Sequence, residues 1–263
     1  MAERALSGQP SAAESSAPSD DANSWPKAAL VYAKPLQLYD LLRDLFLVWI
    51  KPTTHVKWRF SPRTLELTRR ALTARDTIVI GTSCGGVAAL TELLGGLPGE
   101  LSASVLIVMH TSPDSPRLLS DILARCTTLK AAYGQHGHSV EPGHVYIAPP
   151  DYHMTVLCPG VVRLDQGPKV RFSRPAVDPL FRTAAEVYGP RVIGVVLTGY
   201  GEDGTDGLRE IKASGGIPVV QDPNEAAAAG MPRRALIGCG PDFNVSLSVM
   251  ASLLVRLSNR VVL

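Results

Sequence analysis

No Cys-x-x-Cys pair occurs in this chain. Its four cysteines, Cys84, Cys126, Cys158 and Cys239, stand far apart. That argues against a zinc site and against a disulfide framework, and it fits a reducing compartment. The stretch behind Met1 lacks the basic and then apolar regions of a secretory leader; Glu3 and a Ser/Ala/Pro-rich run stand there instead. No apolar run is long enough to cross a bilayer. The longest, LFLVWI at residues 45–50, directly follows Arg43 and Asp44. Nor does one charge dominate: 26 Lys and Arg against 24 Asp and Glu give a formal net charge of +2. Such a balance offers nucleic acid no global attraction. These absences leave a cytoplasmic protein with no nucleic-acid partner and no integral membrane segment as the expectation, with its oligomeric state open.

The 263 residues are 45% hydrophobic, enough for one good-sized domain with additions or for two small ones. Residues 1–25 are small and polar and are expected to be disordered. Residues 26–75 read as an accessory extension. They hold a helix-like apolar stretch, then a basic one with Lys57, Arg59, Arg63, Arg69 and Arg70. The main domain is expected over residues 76–263. There β-branched runs (TIVIGTS, SVLIVMH, RVIGVVLTG, IPVVQD) alternate with helical patterns (GVAALTELLGG, DPLFRTAAEVYG, DGLREIKASGG, LSVMASLLVRL). A further helix is expected after Ser115, with Pro116 in its first turn. HVYIAPP, HMTVLC and VVRLDQ read as short strands, and CPG at 158–160 as a hairpin turn. The fold class that follows is α/β: a mainly parallel, doubly wound, Rossmann-like three-layer sheet with an antiparallel β-hairpin insertion.

In open α/β sheets, sites gather at the carboxyl ends of strands. Three such ends carry useful chemistry. Gly81-Thr82-Ser83-Cys84-Gly85 fits G-x-S-x-G, in which glycines let the chain turn sharply and expose a serine. SVLIVMH ends in His110, and the run after VIGVVLTG holds Glu202, Asp203 and Asp206. Hydroxyl, imidazole and carboxylate would supply nucleophile, base and orienting group. Each also has a plainer reading. Ser83 fits an N-cap and Asp203 a cap before the next helix, and the glycine turn fits a phosphate cradle. Against the cradle, the spacing is not G-x-G-x-x-G and no lysine follows the glycines. Cys84, beside the serine, is a second candidate nucleophile. His136 and His138 form an H-x-H pair without a clear third ligand, so no metal is expected.

Seven stretches then occur in one order: IGTSCGG, IVMHTSPD, PGHVYIAPPDYHM, RPAVDPLF, GVVLTGYGEDGTDGL, GGIPVVQDP and GMPRRA. In these the chain resembles the catalytic domain of CheB-type protein-glutamate methylesterases over roughly its last two-thirds. The resemblance implies that Ser83 is the nucleophile, His110 the base and Asp203 the acid. It puts the backbone N–H groups of Cys84 and Tyr200 at the oxyanion hole. It implies hydrolysis of γ-glutamyl methyl esters on the cytoplasmic helices of methyl-accepting chemoreceptors, with deamidation of glutamine as a companion reaction, and no cofactor. A non-catalytic receptor-binding module and a small-molecule serine esterase on the same fold are the alternatives. Three departures stand out. Tyr200 replaces a frequent methionine. VRFSRP stands where the family often reads Asn-Arg-His-Arg. The residues before 76 are too few for the family's phospho-receiver of about a hundred residues, so activation by phosphorylation in cis is not expected.

Overall fold

Ile78, Val79 and Ile80 are buried without a break, and so are Val105 to Val108, as strands covered on both faces must be. The computed structural model describes residues 75–259. The expected disordered start, residues 1–25, and all but the last residue of the expected accessory extension, residues 26–75, lie outside the described residues. In chain order the elements are β1 (Thr77–Thr82), α1 (Gly86–Gly95), β2 (Ser104–Met109), α2 (Leu119–Ala124), β3 (Lys130–Tyr133), β4 (His144–Ile147), β5 (His153–Leu157) and β6 (Val161–Asp165). There follow α3 (Val177–Tyr188), a 3-10 turn (Gly189–Arg191), β7 (Val192–Val196), α4 (Thr205–Ala213), β8 (Ile217–Gln221), α5 (Gly230–Cys239), β9 (Phe243–Val245) and α6 (Leu247–Ser258).

Seven strands form one sheet in the order β3-β4-β2-β1-β7-β8-β9, and every neighbouring pair is parallel. Side chains alternate between its two faces. Ile78 and Ile80 of β1 enter a core with Leu90 and Leu93 of α1, Leu123 of α2 and Met250 and Leu254 of α6. Val79 enters the other, with Leu180 and Phe181 of α3, Leu208 and Ile211 of α4 and Met231 of α5. Strands β5 and β6 form a separate antiparallel ribbon, whose Met154, Val156 and Val162 join this second core. The architecture is therefore the doubly wound three-layer α/β sheet with a hairpin insertion. From β1 the sheet extends outward through β2, β4 and the edge strand β3, which precedes β4 in the chain; the chain then returns to lay β7, β8 and β9 on the opposite side. The reversal falls between β1 and β7, and a crevice opens at such a switch point beyond the strand ends.

Local patterns did not reveal β3, β9 or α5. The helix after Ser115 also starts later than expected. Ser115 N–H bonds to the Ser112 carbonyl (3.0 Å) and Leu118 N–H to the Pro116 carbonyl (2.8 Å). These tight turns hold Pro116 outside α2, and the N–H of Leu119 donates to the Tyr133 hydroxyl at 3.2 Å.

Helices α3 and α4 pack closely where Gly207 faces Phe181; a Cβ at 207 would collide with the Cβ of Phe181. Alanine normally stabilises a helix interior over glycine by about 1 kcal/mol. Here the clash is with an atom fixed to the backbone, and overpacking costs about 1–3 kcal/mol. Gly207→Ala is expected to lower stability by about 1–2 kcal/mol in urea unfolding. A variant as stable as the parent would contradict so tight a crossing.

Candidate active site

The turn after β1 is held from two sides. Thr82 pairs in register with Met109, so Ser83 and His110 are the first residues beyond the paired ends of β1 and β2. His110 N–H donates to the Thr82 carbonyl at 3.1 Å. On the other side the carbonyl of Thr198, just past β7, accepts the N–H of Ser83 (3.0 Å) and the hydroxyl of Thr82 (2.9 Å). The Thr198 hydroxyl donates to the Cys84 carbonyl (2.8 Å) and accepts from Ala228 N–H (2.8 Å). Its own N–H donates to Gln221 Oε1 (2.8 Å). The chain leaves through Gly85 in a left-handed conformation (φ 79°), where a Cβ would lie 2.7 Å from that of Ala227. Gly85 is the N-cap of α1, with no side-chain cap, so the N-cap reading of Ser83 does not hold. Among the described residues the Ser83 hydroxyl is bonded to neither His110 nor a cap position. Gly199 closes against it: a Cβ there would stand 2.8 Å from the Cβ of Ser83 and collide with the sulfur of Met231.

His110 Nε2 lies 2.8 Å from Asp203 Oδ2. Asp203 is 3% exposed. Its Oδ2 also accepts the N–H of Val177 (2.7 Å) and its Oδ1 that of Asp178 (3.0 Å). These begin α3, so the carboxylate sits where bare N–H groups and the helix dipole favour negative charge. Burial alone would raise its pKa. The His110 contact and the two N–H groups outweigh that and hold it below the ordinary carboxylate range. An ionised carboxylate only accepts, so Nε2 carries the imidazole proton and Nδ1 keeps the free lone pair.

The arrangement is reciprocal. Asp178 Oδ1 accepts the N–H groups of Gly204 (3.0 Å) and Gly207 (2.8 Å) at the start of α4. Asp203 therefore caps α3, not the helix that follows it, and Asp178 caps α4. Burial, then the charge of Asp203, pushes the Asp178 carboxyl up to about 6; the Gly207 N–H and Arg171 oppose this. Arg171 Nε lies 3.2 Å from Asp178 Oδ2 and Nη2 lies 2.6 Å from Asp206 Oδ2, while Nη1 bonds Glu202. Glu202 and Asp206 thus face a guanidinium, and Asp203 is the member of the acidic run that touches the imidazole.

An open cavity of about 860 Å³ lies over this corner, lined by His110, Asp203, Tyr200, Phe172 and Arg233 among others. Ser83 is not among its lining residues. Cys84 and Tyr200 are both exposed. Among the described residues no backbone carbonyl accepts the N–H of either. His136 Nδ1 bonds the Leu164 carbonyl region at 3.3 Å. Among the described residues no group of three or more His, Cys, Asp or Glu is placed to hold a metal ion, and no helix is long and apolar enough to cross a membrane. Sequence patterns passed over Arg171, Asp178, Thr198 and Gln221. The one local signal was acidic Asp178 in the first turn of its helix.

Fold and site together define a class: a doubly wound α/β protein with a serine turn and an imidazole paired with a buried carboxylate at the switch point of its sheet. The chain belongs to the CheB methylesterase family, whose model matches residues 78–254. A Leptospira interrogans protein, provisionally named a protein-glutamate methylesterase/protein-glutamine glutaminase, is 40% identical over 182 residues, covering 69% of this chain and 94% of that one. A protein-glutamate methylesterase/protein-glutamine glutaminase of Pyrococcus abyssi is 35% identical over 227 residues, 82% of this chain and 62% of that one. The crystal structure of the Thermotoga maritima CheB methylesterase catalytic domain superposes with a TM-score of 0.67 at 33% identity, covering 69% of this chain and 98% of that one.

The two aspartates set opposite pH dependences. Burial and the charge of Asp203 push the Asp178 carboxyl up to about 6, against an ordinary 3.8. The folded state then holds more protons than the unfolded one in that window, so the Asp178 contribution falls as pH rises through it. Asp203, held low, contributes above the ordinary carboxylate range and loses that contribution as pH falls. Asp178→Asn cannot ionise. Its stability relative to the parent is expected to improve as pH is raised from about 4 to about 7, read by urea unfolding at both ends. A shift the other way, or none, would contradict the raised carboxyl.

Proposed function

We propose that this chain is a serine hydrolase that removes methanol from γ-glutamyl methyl esters on the cytoplasmic helices of methyl-accepting chemoreceptors, with residues 76–263 as its catalytic domain. The observation that carries the reading is the 2.8 Å contact between His110 Nε2 and buried Asp203, one residue beyond the strand pair that also delivers Ser83. Family membership supports the substrate class.

In this reading Ser83 Oγ attacks the ester carbonyl and its proton passes to Nδ1 of His110, the nitrogen that Asp203 leaves free. The Asp203 carboxylate stabilises the imidazolium through Nε2–H. The N–H groups of Cys84 and Tyr200 face the developing oxyanion, each worth about 3–4 kcal/mol in comparable hydrolases. Methanol departs with the proton from His110. Water, activated by the same imidazole, then cleaves the acyl-serine to leave glutamate and free Ser83. A glutamine side chain would follow the same course with ammonia as the leaving group, as the paired names of the relatives support. The steps need no metal or organic cofactor, and the site of action is the cytoplasm, where such helices lie.

Methanol release from a methylated chemoreceptor fragment tests the reading. Ser83→Ala is expected to abolish it while leaving the fold intact, and His110→Ala to cost nearly as much. Asp203→Asn is expected to cost up to about four decades, as the same change does in a serine protease. Asp206→Asn, whose carboxylate faces Arg171 and Arg209, is expected to stay within a few-fold. Activity that survives in Ser83→Ala but disappears in Cys84→Ser would transfer the nucleophile to the thiol.

A further inference from the structure

The loop before α3 has a feature that the catalytic steps do not use. Arg171 and Phe172 both have left-handed backbones, with φ of 47° and 64°. They lie between Val170 and Ser173, whose backbones exchange hydrogen bonds of 3.1 and 2.9 Å. Positive φ at both central residues is the pattern of a type I′ hairpin turn, which strongly prefers Asn-Gly or Gly-Gly. Two bulky side chains there strain the backbone, and such strain persists only where the surroundings enforce it.

Arg171 supplies the enforcement. Its guanidinium is bound by Asp178, Asp206 and Glu202 together, which raise its pKa despite partial burial. Phe172 gains nothing comparable, being 96% exposed. An aromatic ring held in a strained position where it buries nothing points to a contact made with another molecule. That ring lines the same cleft as His110 and Asp203, together with Tyr200 and Ile237, which are 70% and 75% exposed. Arg233 and Arg234 of α5 line it too, and both are exposed. The charge of Arg171 is met by its three carboxylates, so these two arginines make the remaining wall positive.

We propose that Phe172 is a specificity-determining residue. With Tyr200 and Ile237 it forms an apolar rim that receives an apolar side chain next to the scissile glutamyl ester, on an acidic protein segment whose carboxylates face Arg233 and Arg234. This rests on the hydrolase reading and adds which protein esters the site prefers.

The test measures kcat and KM for methanol release by the parent, Phe172→Ala and Phe172→Asn. The substrates are a methylated chemoreceptor fragment and free γ-methyl glutamate; thermal unfolding is followed alongside. In both variants the ratio of kcat/KM for protein over small ester is expected to fall about tenfold, mostly through KM, because a rim contact touches substrate away from the reacting atoms. Phe172→Asn is expected to melt above the parent, since asparagine tolerates the left-handed conformation. An unchanged ratio in a parent active on both esters overturns this inference alone, and so does a lower melting temperature for Phe172→Asn. A parent that releases methanol from neither ester overturns the hydrolase reading, and this inference with it.

Discussion

Two aspartates exchanged across two helix starts hold this site together. Helices α3 and α4 begin side by side in the protein interior, where uncapped N–H groups would be costly. Asp203 satisfies α3 and Asp178 satisfies α4. The carboxylate that meets His110 is therefore fixed by the backbone of a different helix and cannot swing with its own loop. Placing two carboxylates together in a buried corner is unfavourable in itself. Two helix N-termini and the Arg171 guanidinium offset that, and the left-handed Gly204 (φ 91°) lets the chain pass from Asp203 straight into α4.

The end of β7 serves both halves of the site. Thr198 fixes the Ser83 turn through its carbonyl and hydroxyl, and a few residues later Asp203 fixes His110. Fully buried Thr198 is satisfied in turn by Gln221 at the end of β8 and by Ala228. A chain of buried polar groups thus spans β1, β7 and β8, and such networks rigidify when every member is paired. The crevice at the topological switch is the place where neighbouring strands can cooperate in this way.

Much of the fold was legible because its central strands are buried on both faces and read as unbroken β-branched runs. Strand β3 escaped because KAAY holds a lysine and two alanines, alternates between exposed and half-buried positions, and exists through pairing with β4. Strand β9 is three residues long. Helix α5 begins with Gly-Met-Pro, which reads locally as a breaker, although proline in a first turn is compatible with a helix. The positions of Ser83 and His110 just past strand ends, and of Asp203 in the loop between β7 and α4, were visible in the pattern. Their partners were not: what makes Thr198, Gln221, Asp178 and Arg171 matter is contact with residues remote in sequence, which no local window contains.

The strand order also governs when a growing or refolding chain can acquire its chemistry. The His110–Asp203 contact spans 93 residues and the Thr82–Thr198 contact 116. Both chords enclose the ribbon and α3, and neither can close until β7 has slotted in beside β1. Parallel pairings of such long range form slowly, since loop-closure entropy comes before any reward from contact. In the proposed mechanism, the first half of the domain, with its serine turn and its imidazole already synthesised, would stay inactive until then. Recovery of turnover would report the late event in which the two halves of the sheet meet, not the earlier appearance of helices and strands.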